Sequence, residues 1–276
     1  MPGRFGDILW SLPTVRLLAA RHSTKVDFMT SPKYASILSL IQKQPYILET
    51  WSGLGWDVQE TAPMTPREPP VHDCDDYEAI YHLGYREWPS RILAEEIRGS
   101  VTFTKRDSAL DLEGPWITVP GASRETEDTL IAVGFTEEHI ELKMGILLGL
   151  IPKFNEITWE LLLPPEGMSH RAWEWAEAAC YPVEYCETNW EQAAAAIASA
   201  DLFFGCLGAQ WVLANAVGTP TVIMEPSPER HNPIFWRDSP KNHLVIGNDG
   251  KPTFDLRHTA EMIDWTLKEV ENGKAD

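Results

Sequence analysis

Residues 201–226 constrain this chain more than any other stretch. They read as a short apolar strand ending near Gly205, a turn through Cys206, Leu207 and Gly208, and an alanine-rich helix stopped by Gly218, Thr219 and Pro220. A second apolar strand follows over 221–224. This is a β-α-β unit, the building block of a parallel sheet. Gly205 and Gly208 stand where the first strand hands over to the helix. With no Cβ there, backbone N–H groups of the helix N-terminus can face an anion such as a diphosphate. The same two glycines equally suit a tight strand-to-helix turn that binds nothing.

The chain of 276 residues has room for one large or two ordinary domains, and 43% hydrophobic with 23% charged residues is the make-up of a globular protein. No apolar run reaches the ~18 residues of a membrane span, so no integral membrane contact is expected. The first residues lack the charged, apolar and small-residue segments of a leader, which makes the expected location cytoplasmic. A net charge of −18 argues against a broad grip on nucleic-acid phosphates while leaving room for a local basic groove. Cys74, Cys180, Cys186 and Cys206 show no zinc-ligand spacing and no secreted disulfide density. The acidic cluster over 72–76 could offer oxygens to a hard cation, but its proline-rich approach over 63–70 favours a solvated loop.

From the N-terminus, Gly6, Asp7 and Pro13 lead into a helix over 14–22. Asp7 near its start is a cap stabilised by the helix dipole, or a carboxylate available as a base. A strand is expected over 25–30, a helix over 33–42 and a strand over 46–50. Another strand, 78–83, carries His82 and is followed by a helix through Arg91, Ile92 and Leu93. A histidine at the C-terminal end of a strand in an open sheet can bind ligand or move a proton, or it can be structural. A strand over 116–124 is expected to open a second alternating series, with the domain boundary between 112 and 113. Helix 137–150, strand 158–163, a helix near 170–179, a short strand at 181–185 and helix 190–200 then lead to the opening unit. After a turn-rich loop, a last strand at 244–247 and a helix at 259–271 close the chain, the helix being a candidate to pack back on the first domain. Two β/α series of similar size predict two doubly wound domains with a ligand cleft between them.

Five stretches carry a family resemblance in the same order along the chain. They are Gly6-Asp7 through Pro13 with the helix after it, the strand region 76–84, and Pro120-Gly121-Ala122-Ser123-Arg124. The other two are 197–205 with 213–220, and the loop from Pro226 to Arg230. Together they resemble the heptosyltransferase-like glycosyltransferases of family 9. That resemblance implies a GT-B architecture: a Rossmann-like acceptor domain over 1–112 facing a Rossmann-like nucleotide-sugar domain over 113–276 across a cleft. It implies an inverting reaction with no metal or other cofactor. It makes Asp7 the base for the acceptor hydroxyl, with Arg4 and His82 on the acceptor side. Ser123, Arg124, Glu166, Gly205, Gly208, Ala209, Gln210, Glu225 and Arg230 fall on the donor side.

The chain also departs from the family pattern. Where the family has an Asn-Asp-Ser/Thr-Gly turn and a later histidine, this chain has Cys206, Leu207, Gly208, Ala209 and Val212. An acidic run at 125–128 stands where a lysine is expected. The expected activity is therefore transfer of a sugar from a nucleotide-diphosphate sugar to a hydroxyl acceptor, with ADP-heptose disfavoured as donor. One alternative is a catalytically weakened nucleotide-sugar binding protein. Another is a phage-type glycosyltransferase acting on a hydroxymethylated DNA base.

Overall fold

A computed structural model of the chain describes residues 5–52, 81–83, 93–96, 99–102, 115–122, 128–136, 140–163, 183–186, 189–225, 242–246 and 255–274. The chain divides into two compact units, Met1–Thr118 and Val119–Asp276.

The first unit opens on α1 (Phe5–His22), which begins nine residues earlier than the sequence predicts and carries Pro13 in its interior. Every residue from 8 to 15 is buried, as in a helix surrounded by protein rather than lying on a surface. Proline has no N–H to donate to the carbonyl four residues back. That carbonyl belongs to Leu9, and it accepts instead from the indole Nε1 of Trp116 at 3.1 Å.

β1 (Val26–Thr30), a 3-10 turn (Pro32–Ile37), α2 (Leu38–Gln42) and β2 (Ile47–Ser52) form a β-α-β unit with parallel strands. The single helix predicted over 33–42 is split. Tyr34 leaves helical geometry (φ −116°, ψ 18°) and packs its ring edge-on against Phe5 at 4.9 Å. β3 (Tyr81–Leu83), β4 (Leu93–Glu96) and β5 (Gly99–Thr102) make an antiparallel sheet. Leu93, predicted helical, instead pairs with Thr102. Leu93, Ala94 and the two glutamates are good helix formers, but cross-strand pairing on both sides overrides that local preference.

Residues 115–118, predicted to start a strand of the second domain, form a strap on the first unit. Tyr46 donates its hydroxyl to Trp116 O at 2.9 Å, and Arg16 Nη1 donates to Pro115 O at 3.1 Å. Gln44 accepts from Thr118 N at 2.8 Å and donates to Leu40 O at 2.9 Å. Trp116 stacks on Trp10 at 5.4 Å. The predicted strand then fails at Pro120, which has no ladder donor, and at Gly121, which turns the chain at φ 76°.

The second unit is built on one six-stranded, wholly parallel sheet. Its strands are β6 (Leu130–Gly134), β7 (Thr158–Leu162), β8 (Val183–Cys186), β9 (Leu202–Cys206), β10 (Thr221–Glu225) and β11 (Asn242–Ile246). They lie in the order β11-β10-β9-β6-β7-β8. Numbered within the unit, this is the 3-2-1-4-5-6 order of a doubly wound Rossmann sheet. β6, one of the two central strands, was not expected from the sequence.

Alternate side chains of the strands go to opposite faces. Ile131, Val133, Trp159, Leu161, Leu202, Phe204, Val222 and Met224 share a core with α3 (Ile140–Leu150) and with Ile263 of α6 (Leu256–Lys274). Helix α6 packs on α3, β10 and β11. The other face is covered by α4 (Trp190–Ser199) and α5 (Ala209–Val217), which pack on each other and on the central strands. Right-handed crossovers require this, because the chain leaves β6 in one direction and β9 in the other. A reciprocal capping box starts α4: Gln192 N donates to Asn189 Oδ1 at 2.9 Å, and Asn189 N donates to Gln192 Oε1 at 3.0 Å. Gly218, at φ 87°, ends α5 in left-handed geometry, and Thr219 Oγ1 then ties that corner to Ile197 O at 2.7 Å.

Candidate functional site

The strand order of the second unit reverses between β6 and β9, and in open α/β sheets ligands bind outside the strands' carboxyl ends at such a point. Gly134 and Gly205 face each other there in register. Any Cβ on Gly205 would collide with the Gly134 carbonyl oxygen, and the ring of Phe203 occupies the space above both glycines. Neither glycine position therefore has room for a side chain.

Thr136, just past β6, joins the two sides of the crevice. Its N–H donates to Cys206 Sγ at 3.1 Å, and its hydroxyl lies 3.4 Å from the same sulfur. Its methyl lies so near Gly208 that a Cβ there would approach it to 3.1 Å. Lys143, on α3, donates from Nζ to both Thr136 O (3.1 Å) and Thr136 Oγ1 (2.9 Å). Lys143 is only 3% exposed, and no carboxylate among the described residues pairs with it. An ammonium has three N–H donors, and Thr136 takes two of them. A buried cation without a counter-ion is costly on its own, and an anion at the crevice would relieve that cost.

Helix α5 starts at the same crevice. Its N-cap is Gly208, extended at φ 172°, and no side chain caps the helix. The first-turn N–H groups and the positive end of the helix dipole thus lie at the strand ends, and Gly208 has no side chain to cap them. Gln210, the second residue of α5, is 7% exposed and donates from Nε2 to Leu162 O at 3.2 Å.

Of the residues expected on the donor side, Gly205, Gly208, Ala209, Gln210 and Glu225 are gathered at the carboxyl ends of β9 and β10 and the start of α5. Ser123, Arg124, Glu166 and Arg230 lie outside the described residues, as do Arg4 and the acidic cluster over 72–76. Asp7 is the third residue of α1, inside the first turn rather than at the cap. His82 is the middle residue of β3, opposite Glu95 in an antiparallel pair. β3 belongs to an antiparallel sheet, so His82 does not stand at the carboxyl edge of an open parallel one. Val212, where the resemblance leads one to expect a histidine, is buried within α5.

Lys143 and Thr136 were not among the site residues expected from the sequence. The signal was present: after Glu141, Lys143 is the one charge in the apolar run 142–151, and such a lysine either snorkels or serves a site. Among the described residues, no group of three His, Cys, Asp or Glu side chains could hold a metal ion. No helix among them is long and apolar enough to cross a membrane.

No protein-family model matches the sequence, and no curated protein sequence does. Solved structures do match over nearly the whole chain. E. coli ADP-heptose heptosyltransferase II is 14% identical, with a TM-score of 0.56 and 98% of each chain covered. E. coli heptosyltransferase WaaC, solved with ADP-2-deoxy-2-fluoro heptose, is 13% identical, with a TM-score of 0.56 over 98% of this chain and 99% of the other. A family 9 glycosyltransferase from Veillonella parvula is 13% identical, with a TM-score of 0.63 over 98% and 96%. In fold, this chain is similar to the heptosyltransferase-like family 9 glycosyltransferases, a GT-B-like α/β architecture of Rossmann-like domains.

Proposed function

We propose that the protein is an inverting glycosyltransferase that needs no metal and moves a sugar from a nucleotide-diphosphate sugar to a hydroxyl acceptor. The observation that carries this reading is the buried Lys143 ammonium at the switch point, without a carboxylate partner among the described residues and beside the uncapped N-terminus of α5. A diphosphate supplies negative charge to both.

In this reading Asp7 takes the proton of the acceptor hydroxyl. The acceptor oxygen forms a bond to the anomeric carbon from the side opposite the diphosphate, and the bond from that carbon to the diphosphate oxygen breaks. The leaving diphosphate keeps the electron pair. Its growing charge is met by Lys143, the first-turn N–H groups of Ala209 and Gln210, and the Ser123 hydroxyl and Arg124 guanidinium. Glu166, Glu225 and Arg230 are donor-side groups, and Arg4 and His82 acceptor-side groups, through the family resemblance.

A second reading is a nucleotide-sugar binding protein with little or no turnover. It is favoured by Leu207 and the buried Val212, which offer a donor no polar contact.

Release of nucleoside diphosphate from a panel of nucleotide sugars, with saccharides and hydroxymethylated DNA as acceptors and with a chelator present, separates the readings. Wild type is expected to turn over at least one pair. Asp7→Asn is expected to be slower by about 100-fold or more at similar donor affinity. Donor binding without any release would leave the binding-protein reading standing, and no donor binding at all would end both.

A further inference from the structure

Gln210 is expected to meet the donor through the helix N-terminus, and its side-chain amide bonds within the protein. Nε2 donates to the carbonyl of Leu162, the last residue of β7. Oε1 lies over Gly134, the last residue of β6, so close that a Cβ there would stand 2.7 Å from it. One buried side chain on the first turn of α5 therefore rests on the ends of two neighbouring strands. The N-cap, Gly208, adds no side-chain hydrogen bond to that turn.

We propose that Gln210 is a positioning residue for the anion site, a role that rests on the nucleotide-diphosphate reading above. The clip to Leu162 O sets the height of the first turn of α5 above the strand ends. The N–H groups of Ala209 and Gln210 then reach the same anion as Lys143 Nζ. Hydrogen bonds weaken steeply with distance and angle, so a small rise of this turn loses binding without unfolding the domain. Gly134 belongs to the same device, because any side chain there would displace the amide.

Gln210→Met keeps the length of the side chain and removes its donor. Ile197→Val, on α4 and fully buried, serves as a variant destabilised away from the strand ends. Calorimetric titration uses ADP, UDP, GDP and CDP as probes, and hydrogen exchange reports on the amides of residues 209–213. The Gln210→Met variant is expected to bind the preferred diphosphate about tenfold more weakly and to exchange faster at 209–213. Ile197→Val is expected to match wild type in affinity even though it melts earlier. If wild type binds a diphosphate and Gln210→Met binds it equally well, or loses no more affinity than Ile197→Val, the positioning role is wrong while the donor reading stands. If wild type binds none of the four, both fall together.

Discussion

Trp116 supplies the hydrogen bond that Pro13 withholds from Leu9. Its Nε1 lies 3.1 Å from Leu9 O, across a sequence separation far beyond the helix, so the break in the α1 ladder is filled from the strap that ends the first unit. Trp116→Phe keeps most of the stacking on Trp10 and leaves that buried carbonyl unsatisfied, at an expected cost of about 1–3 kcal/mol. Pro13→Ala restores the helical donor and should recover much of that loss in the Trp116→Phe background. The measurement is a double-mutant cycle by urea unfolding, expected to show coupling of about 0.5 kcal/mol or more.

Gln44 fastens the same strap from the other side. It is 1% exposed and holds both the N–H and the region of the carbonyl of Thr118. Gln44→Leu should cost about 2 kcal/mol through the polar groups it strands. It should also make residues 115–122 the first site cut in limited proteolysis, which mass spectrometry of the fragments would locate.

Two glycines of the second unit should respond to alanine in opposite directions. At Gly205 a methyl group meets the Gly134 carbonyl and the Phe203 ring, so Gly205→Ala forces β6 and β9 apart and should cost about 3 kcal/mol. At Gly145, inside α3, a methyl group meets nothing within 4 Å. Gly145→Ala should then stabilise by about 0.5–1 kcal/mol through helix propensity. Thermal melts of both variants test the pair.

Lys143→Met should separate stability from binding. Removing a buried cation that has no carboxylate partner among the described residues relieves a desolvation cost and also gives up two hydrogen bonds to Thr136. The unfolding free energy should therefore stay within about 1 kcal/mol of wild type. Affinity for a nucleoside diphosphate should fall by about 100-fold, as read by calorimetry. A large loss of stability with affinity retained would make Lys143 a structural residue.

The β-α-β unit over 201–226 was legible because each of its signals is local. The strands are short apolar runs, the helix is rich in alanine, and Gly218 with Pro220 ends it by backbone geometry alone. β6 was missed for a physical reason. A strand buried on both faces shows no alternation, and Leu130, Ile131, Ala132 and Val133 follow an acidic run that reads as loop. Leu93 was misread because its neighbours favour helix, whereas the pairing that fixes it comes from β3 and β5.

By itself, then, the sequence determined an alternating α/β chain, a glycine turn fit for an anion and a resemblance spread over five motifs, all consequences of local propensity and of residue types at fixed spacing. Only the tertiary structure decided that β6 and β9 adjoin, that their ends meet glycine to glycine, and that Thr136, Lys143, Cys206 and Gln210 converge there. These residues are up to 74 positions apart in the chain. What brings them together is the order of strands in the sheet, set by how two helical layers cover its two faces, and that order is not written in any one segment.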